Sequence, residues 1–190
     1  KKVLLQSIGG WPPNQSIDRA FEDLDGDGTP ELIIRQNFST YRGAMTADIW
    51  TAIYRWNGKQ FEDASVRFKD FYLKRLLPEV EAHIKEIAAR VPNPARLTSE
   101  EQALHELELA MQWVIRDKIL RFTGQDARAG IDRAREWTKN PNSELRHLAV
   151  SVFKDAGLST YIADVQFLAS DPDPYVSNHA KWVLKTSSGK

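Results

Sequence analysis

At 190 residues, 42% of them hydrophobic and 27% charged, the chain can bury one substantial core or two smaller ones. Its 26 lysines and arginines balance 26 aspartates and glutamates, so no overall basic field draws it to nucleic acid, and none is expected as a partner. The absence of cysteine excludes disulfides, thiolate metal sites and cysteine nucleophiles. No apolar run approaches the roughly 18 residues of a membrane span, so no membrane insertion is expected. The sequence starts at Lys1 without a methionine or an apolar leader, which reads as a trimmed or mature form.

The first third reads as strands and tight turns. Residues 2–8 and 16–22 are strand candidates, and the second runs into the acidic loop Asp23-Leu24-Asp25-Gly26-Asp27-Gly28. After it, Glu31-Leu32-Ile33-Ile34-Arg35 is a short apolar run of the kind buried strands show. Residues 46–56 form the next strand, with Ile49, Thr51 and Ile53 on one face and Trp50, Ala52, Tyr54 and Trp56 on the other. Both faces are mainly apolar, so this strand is expected to be central. Asn57-Gly58 then signals a tight hairpin with both residues at positive φ, and residues 59–62 return as the last strand.

From about Val66 the hydrophobic period changes from two to 3.6. Pro78 is expected to end or kink a first helix, 79–90 continues in helical register, and Pro92-Asn93-Pro94 breaks it. Thr98 and Glu101 have the spacing of a capping box. The helix they open places Leu104, Leu107, Met111, Val114, Ile115 and Ile119 on one face and closes at Gly124. Further helices are expected at 126–138, 143–156, 160–169 and 174–185. Two of these starts repeat at a spacing of 31 residues: Pro141/Pro172, Leu145/Val176, Ala149/Ala180, Val152/Val183 and Phe153/Leu184. Helix pairs stacked at such a period form solenoids. The stretch 139–186, most clearly Asp171-Pro172-Asp173-Pro174-Tyr175-Val176, resembles a HEAT-type repeat, and that resemblance implies a protein-binding or packing surface.

The chemistry concentrates in Asp23-x-Asp25-x-Asp27-Gly28-x-x-Glu31. Calcium takes six to eight hard oxygen ligands in irregular geometry, and carboxylates at the first, third and fifth places of a tight loop curl around one centre. Gly28 permits the sharp turn, the Thr29 carbonyl is the natural fifth contributor, and Glu31 closes the shell. Four carboxylates in one loop repel one another without a cation. An EF-hand is excluded, because its twelfth place is Ile34 here and a strand pattern follows the loop. Magnesium is disfavoured by its strict octahedral demand.

In residues 21–34, with the hairpin 53–63 after it, the chain resembles the FG-GAP or VCBS type of calcium-binding repeat. The resemblance implies one calcium ion held by Asp23, Asp25, Asp27, Thr29 (through its carbonyl) and Glu31, in a protein outside the cytoplasm. One such unit, 16–63, is present where a propeller needs about four blades. The expected fold is therefore α+β: a small antiparallel sheet, a single blade-like unit, packed on a helical, HEAT-like C-terminal region. The units expected are 1–65 and 66–190, with one compact domain favoured because no linker stands near residue 65.

No catalytic constellation accompanies the loop. His83, His105, His147 and His179 lack ligand spacing, and there is no nucleophile elbow, phosphate loop or zincin motif. The expected function is a calcium-binding, non-catalytic module for protein interaction or scaffolding, periplasmic or secreted, with a protein or a glycan as partner. The alternatives are a periplasmic inhibitor or immunity protein of a bacterial enzyme, a calcium-supported hydrolase, or a piece of a larger secreted protein.

Overall fold

The computed structural model describes residues 20–39, 46–91, 93 and 96–187. The candidate strand at 2–8 and the start of the one at 16–22 lie outside them. The fold is α+β: a four-stranded antiparallel sheet in sequence order is followed by a helical remainder. The chain divides into two compact units, 1–78 and 79–190.

In the first unit, β1 (Phe21–Glu22), β2 (Glu31–Ser39), β3 (Thr46–Trp56) and β4 (Phe61–Asp63) form the sheet. Leu32 pairs with Tyr54 and Ile34 with Ala52, so alternation puts these four on one face, where Ala20, Tyr54 and Phe61 pack with Leu32 and Ile34. Ile33 and Ile53 pair on the opposite face. Thr51, Ala52 and Ile53 are all buried, as a strand covered on both sides requires. Beyond the short β4, the backbone edge of β3 is covered by residues 64–72. Ala64 N–H donates to the Ile53 carbonyl at 2.8 Å, Ser65 Oγ accepts from Ile53 N–H at 3.0 Å, and Tyr72 Oη donates to the Thr51 carbonyl at 2.6 Å. An open sheet edge is thereby closed by side chains and backbone of the adjoining segment. Burial pushes the Tyr72 hydroxyl up to about 12, which keeps it a donor.

The turn after β3 differs from the expectation. Among the described residues only glycines have positive φ, so Asn57 does not adopt the left-handed region and Gly58 does, at 96°. Asn57 instead uses its side chain: Oδ1 accepts from the N–H groups of Lys59 and Gln60 at 2.9 Å. This side-chain turn lengthens the loop, and the last strand starts at Phe61.

The helical path runs from a 3₁₀ turn, Ser65–Phe68, through α1 (Lys69–Phe71) and a π-helical turn, Tyr72–Leu76, into α2 (Leu77–Arg90). Pro78 therefore does not end the helical path. It sits in the first turn of α2, where a missing N–H is tolerated, and the wider π turn precedes it.

In the second unit, α3 (Ser99–Thr123) begins with the expected capping box. Glu101 N–H donates to Thr98 Oγ1 at 3.3 Å, and Thr98 N–H donates to Glu101 Oε2 at 2.8 Å. It ends at Gly124, whose φ is 84°. Leu107, Met111, Ile115 and Ile119 are buried along it, whereas Leu104, one turn from the start, is exposed. Then come α4 (Arg128–Trp137), α5 (Ser143–Leu168), which is broken at Gly157, and α6 (Pro174–Ser187). Their core joins Ala149, Val152 and Phe153 to Val176, Ala180 and Val183, the positions that recur at 31 residues.

The recurrence reaches the level of atoms. Asn142 Oδ1 caps α5 through Glu144 N–H at 3.0 Å, and Asp173 Oδ1 accepts from Tyr175 N–H at 2.9 Å. Asn140 Oδ1 takes Asn142 N–H at 2.8 Å, as Asp171 Oδ1 takes Asp173 N–H at 2.8 Å. Arg146 ties the two starts together, donating to both oxygens of Asp171 at 2.8 and 3.0 Å and to the carbonyls of Asn140 and Pro141 at 2.7 and 3.0 Å.

Candidate metal centre

The acidic loop bridges β1 and β2, with Glu22 paired to Glu31, so it is the tip of a hairpin. Its carboxylates order it from within. Asp23 Oδ1 accepts from Gly26 N–H at 2.8 Å and Asp27 N–H at 3.2 Å, and its Oδ2 accepts from Gly28 N–H at 2.8 Å. Asp27 Oδ1 accepts from Thr29 N–H at 2.9 Å. Such a wrap demands left-handed backbone, and Gly26 and Gly28 supply it with φ of 75° and 82°. Carboxylate oxygens of Asp23, Asp25 and Asp27 lie within 4.8 Å of one another. Among the described residues this is the one cluster of three or more acidic or histidine side chains with a metal-binding geometry.

Glu31 differs from the other three. It is the first residue of β2 and is completely buried. Its Oε2 accepts from Leu24 N–H at 2.9 Å, which ties the two ends of the loop. Its Oε1 is buried with no hydrogen-bond partner. A buried carboxylate oxygen left unmatched is costly, by about 1–3 kcal/mol or more. That oxygen has an arginine 3.6 Å away and no hydrogen bond, and it is a hard donor of the type a cation takes.

The expected ligands are thus brought together in part. Asp23, Asp25 and Asp27 converge. Glu31 is not part of that cluster and is linked to it through Arg55, whose Nη1 lies 3.6 Å from Glu31 Oε1. Thr29 belongs to the loop through its N–H bond to Asp27. All of the side-chain oxygens are hard donors of the type calcium takes, and the loop offers enough of them for an irregular shell.

Arg55 is the residue that sequence reasoning missed. Its Nη1 donates to Asp25 Oδ2 at 2.7 Å, its Nη2 bonds Asp27 Oδ2, and its Nη1 lies 3.6 Å from Glu31 Oε1. Arg67 adds a longer contact to Asp25, at 3.7 Å. The signal for Arg55 is the strand register. Leu32 faces Tyr54, so one step further along the antiparallel pair Glu31 faces Arg55, and alternation puts both on the same side of the sheet.

Elsewhere, two of the four histidines meet. The His147 ring stacks on Tyr175 at 4.1 Å and lies 4.3 Å from His179. Burial, then the proximity of His179, pushes His147 down to about 4, and burial with Lys154 nearby lowers His179. Among the described residues they belong to no group of three metal-ligating side chains, and their place is in the packing of α5 against α6.

Compared with protein-family models, with curated proteins and with solved structures, the chain finds no match in any of the three, so the FG-GAP or VCBS and HEAT-type resemblances rest on the quoted residues alone.

Proposed function

We propose that the chain is a calcium-binding, non-catalytic module for protein interaction or scaffolding outside the cytoplasm. One structural calcium ion is held by the carboxylates of Asp23, Asp25, Asp27 and Glu31 and the carbonyl of Thr29. The observation that carries this reading is the convergence of three loop aspartates, together with a fully buried Glu31 at the end of the same loop whose Oε1 lacks a hydrogen bond. An ion there binds the native hairpin and not the unfolded chain, so it stabilises the fold by mass action. Loops of this exposure suit millimolar calcium, hence the extracytoplasmic location. The interaction half of the proposal is supported by the paired helix starts of α5 and α6, which repeat in sequence and in capping. Its partner is a protein or a glycan.

The test is thermal melting of chelator-stripped protein over micromolar to millimolar calcium, for the natural chain and for Asp25→Ala. The melting temperature of the natural chain rises by several degrees and that of Asp25→Ala does not. Equal responses of the two proteins, or none at millimolar calcium, remove the metal from the account.

A further inference from the structure

The loop already carries a cation, and it is part of the chain. The Arg55 guanidinium spans Asp25 and Asp27 and reaches toward Glu31 Oε1, so it engages three of the residues assigned to the ion. Its side chain is only 21% exposed, held against the loop rather than extended into solvent. A planar fork of this kind satisfies two carboxylates at once and neutralises part of their mutual repulsion. A metal ion on the same oxygens would sit at bonding distance from atoms that the guanidinium occupies, with like charge facing like charge.

We infer that Arg55 and the metal ion are alternative occupants of the loop: the ion enters as Arg55 leaves, so Arg55 is a built-in competitor that sets the calcium concentration at which the loop fills. The inference rests on the calcium reading of the loop. Arg55 has somewhere to go. A cavity of about 350 Å³ beside it is lined by Glu62 and Asp63 as well as by Arg67 and Trp56, so a departing guanidinium stays opposite negative charge. Removing the guanidinium has two effects of opposite sign. Replacing Arg55 by a neutral residue leaves four carboxylates less compensated in the metal-free protein, which lowers its melting temperature. The same replacement removes the competitor, which tightens calcium.

The experiment is a calorimetric calcium titration of chelator-stripped natural chain, Arg55→Gln and Arg55→Lys at one ionic strength, with folding checked by circular dichroism. Arg55→Gln binds calcium at least tenfold more tightly than the natural chain, and Arg55→Lys, which keeps the charge and loses the fork, falls between them. An Arg55→Gln affinity equal to or weaker than that of the natural chain overturns the competition while leaving the calcium site in place. Binding by neither protein overturns the site and the competition together. Binding by Arg55→Gln alone is the competition at full strength. A measurement on the natural chain keeps the idea testable if the variants unfold: the side-chain N–H resonances of Arg55, followed by NMR, move to new positions once calcium is bound and lose their nuclear Overhauser contacts to Asp25 and Asp27. Resonances and contacts that stay unchanged in saturating calcium contradict the exchange.

Discussion

Glu31 and Arg55 decide the chemistry of the loop between them. A buried carboxylate needs a cation, and Arg55 comes within 3.6 Å of it from the neighbouring strand, an ion pair beyond hydrogen-bonding distance. The glycines matter as much as the charges, because the aspartates reach their backbone donors only if the chain turns left-handed between them. Gly28 has φ of 82° with no atom near a would-be Cβ, so Gly28→Ala costs backbone strain and no collision. Its expected cost is about 1 kcal/mol, read as a lower midpoint in denaturant without calcium, together with weaker calcium binding. The acidic spacing was legible because it is local: carboxylates at alternate places and a glycine after the third identify the loop without knowledge of the fold. Arg55 was not, since its role depends on the pairing of its strand with that of Glu31, 24 residues before it, which no window of sequence displays.

At the scale of the elements, what was legible were the signals that act within one turn. The Thr98 and Glu101 box and Gly124 bound α3 as expected because capping satisfies backbone groups a few residues away. The fold departs from the expected elements at three points. Asn57 turns the hairpin through its side chain, Pro78 is absorbed behind a π-helical turn, and Leu104 lies on the apolar stripe of α3 beyond the reach of the core. The repeat of α5 and α6 shows in sequence as apolar spacing, but the residue that joins the two starts, Arg146, has no counterpart in the second copy, where Ser177 stands. Arg146 and Asp171 are 13% and 5% exposed. Arg146→Ala leaves the Asp171 charge buried and is expected to cost about 3 kcal/mol in denaturant unfolding, with Arg146→Lys losing less. A cost below about 0.5 kcal/mol would place the pair among surface ion pairs of little worth.

Over the whole molecule, the two units answer to different conditions. No glycine- or serine-rich linker marks the division at Pro78, because the helical path runs through it; the boundary is a matter of which residues pack together and was not readable from composition. The unit holding residues 20–78 contains the acidic loop, and the unit from 79 onward contains the stacked histidines. In the folded chain His147 is held down to about 4, and His179 is lowered as well, against about 6.5 when unfolded. Below about pH 6.5 the unfolded chain binds protons that the folded one refuses, so this stability is complete above pH 6.5 and is lost as pH falls toward 4. Denaturant unfolding at pH 7 and pH 5 is expected to show the loss, hydrogen exchange to place it in α5 and α6, and His147→Phe to flatten it by keeping a ring in the stack without a proton. A pH profile unchanged by His147→Phe would remove the histidine stack as its source.

Everything proposed for the loop of residues 23–31 depends on one ion sitting in it. Equilibrium dialysis of chelator-stripped protein against millimolar calcium, followed by elemental analysis of protein and buffer, counts it directly. One calcium per chain is expected, and none in Asp25→Ala. A natural chain that retains no calcium above the buffer level would contradict it and leave the loop to the guanidinium groups of Arg55 and Arg67.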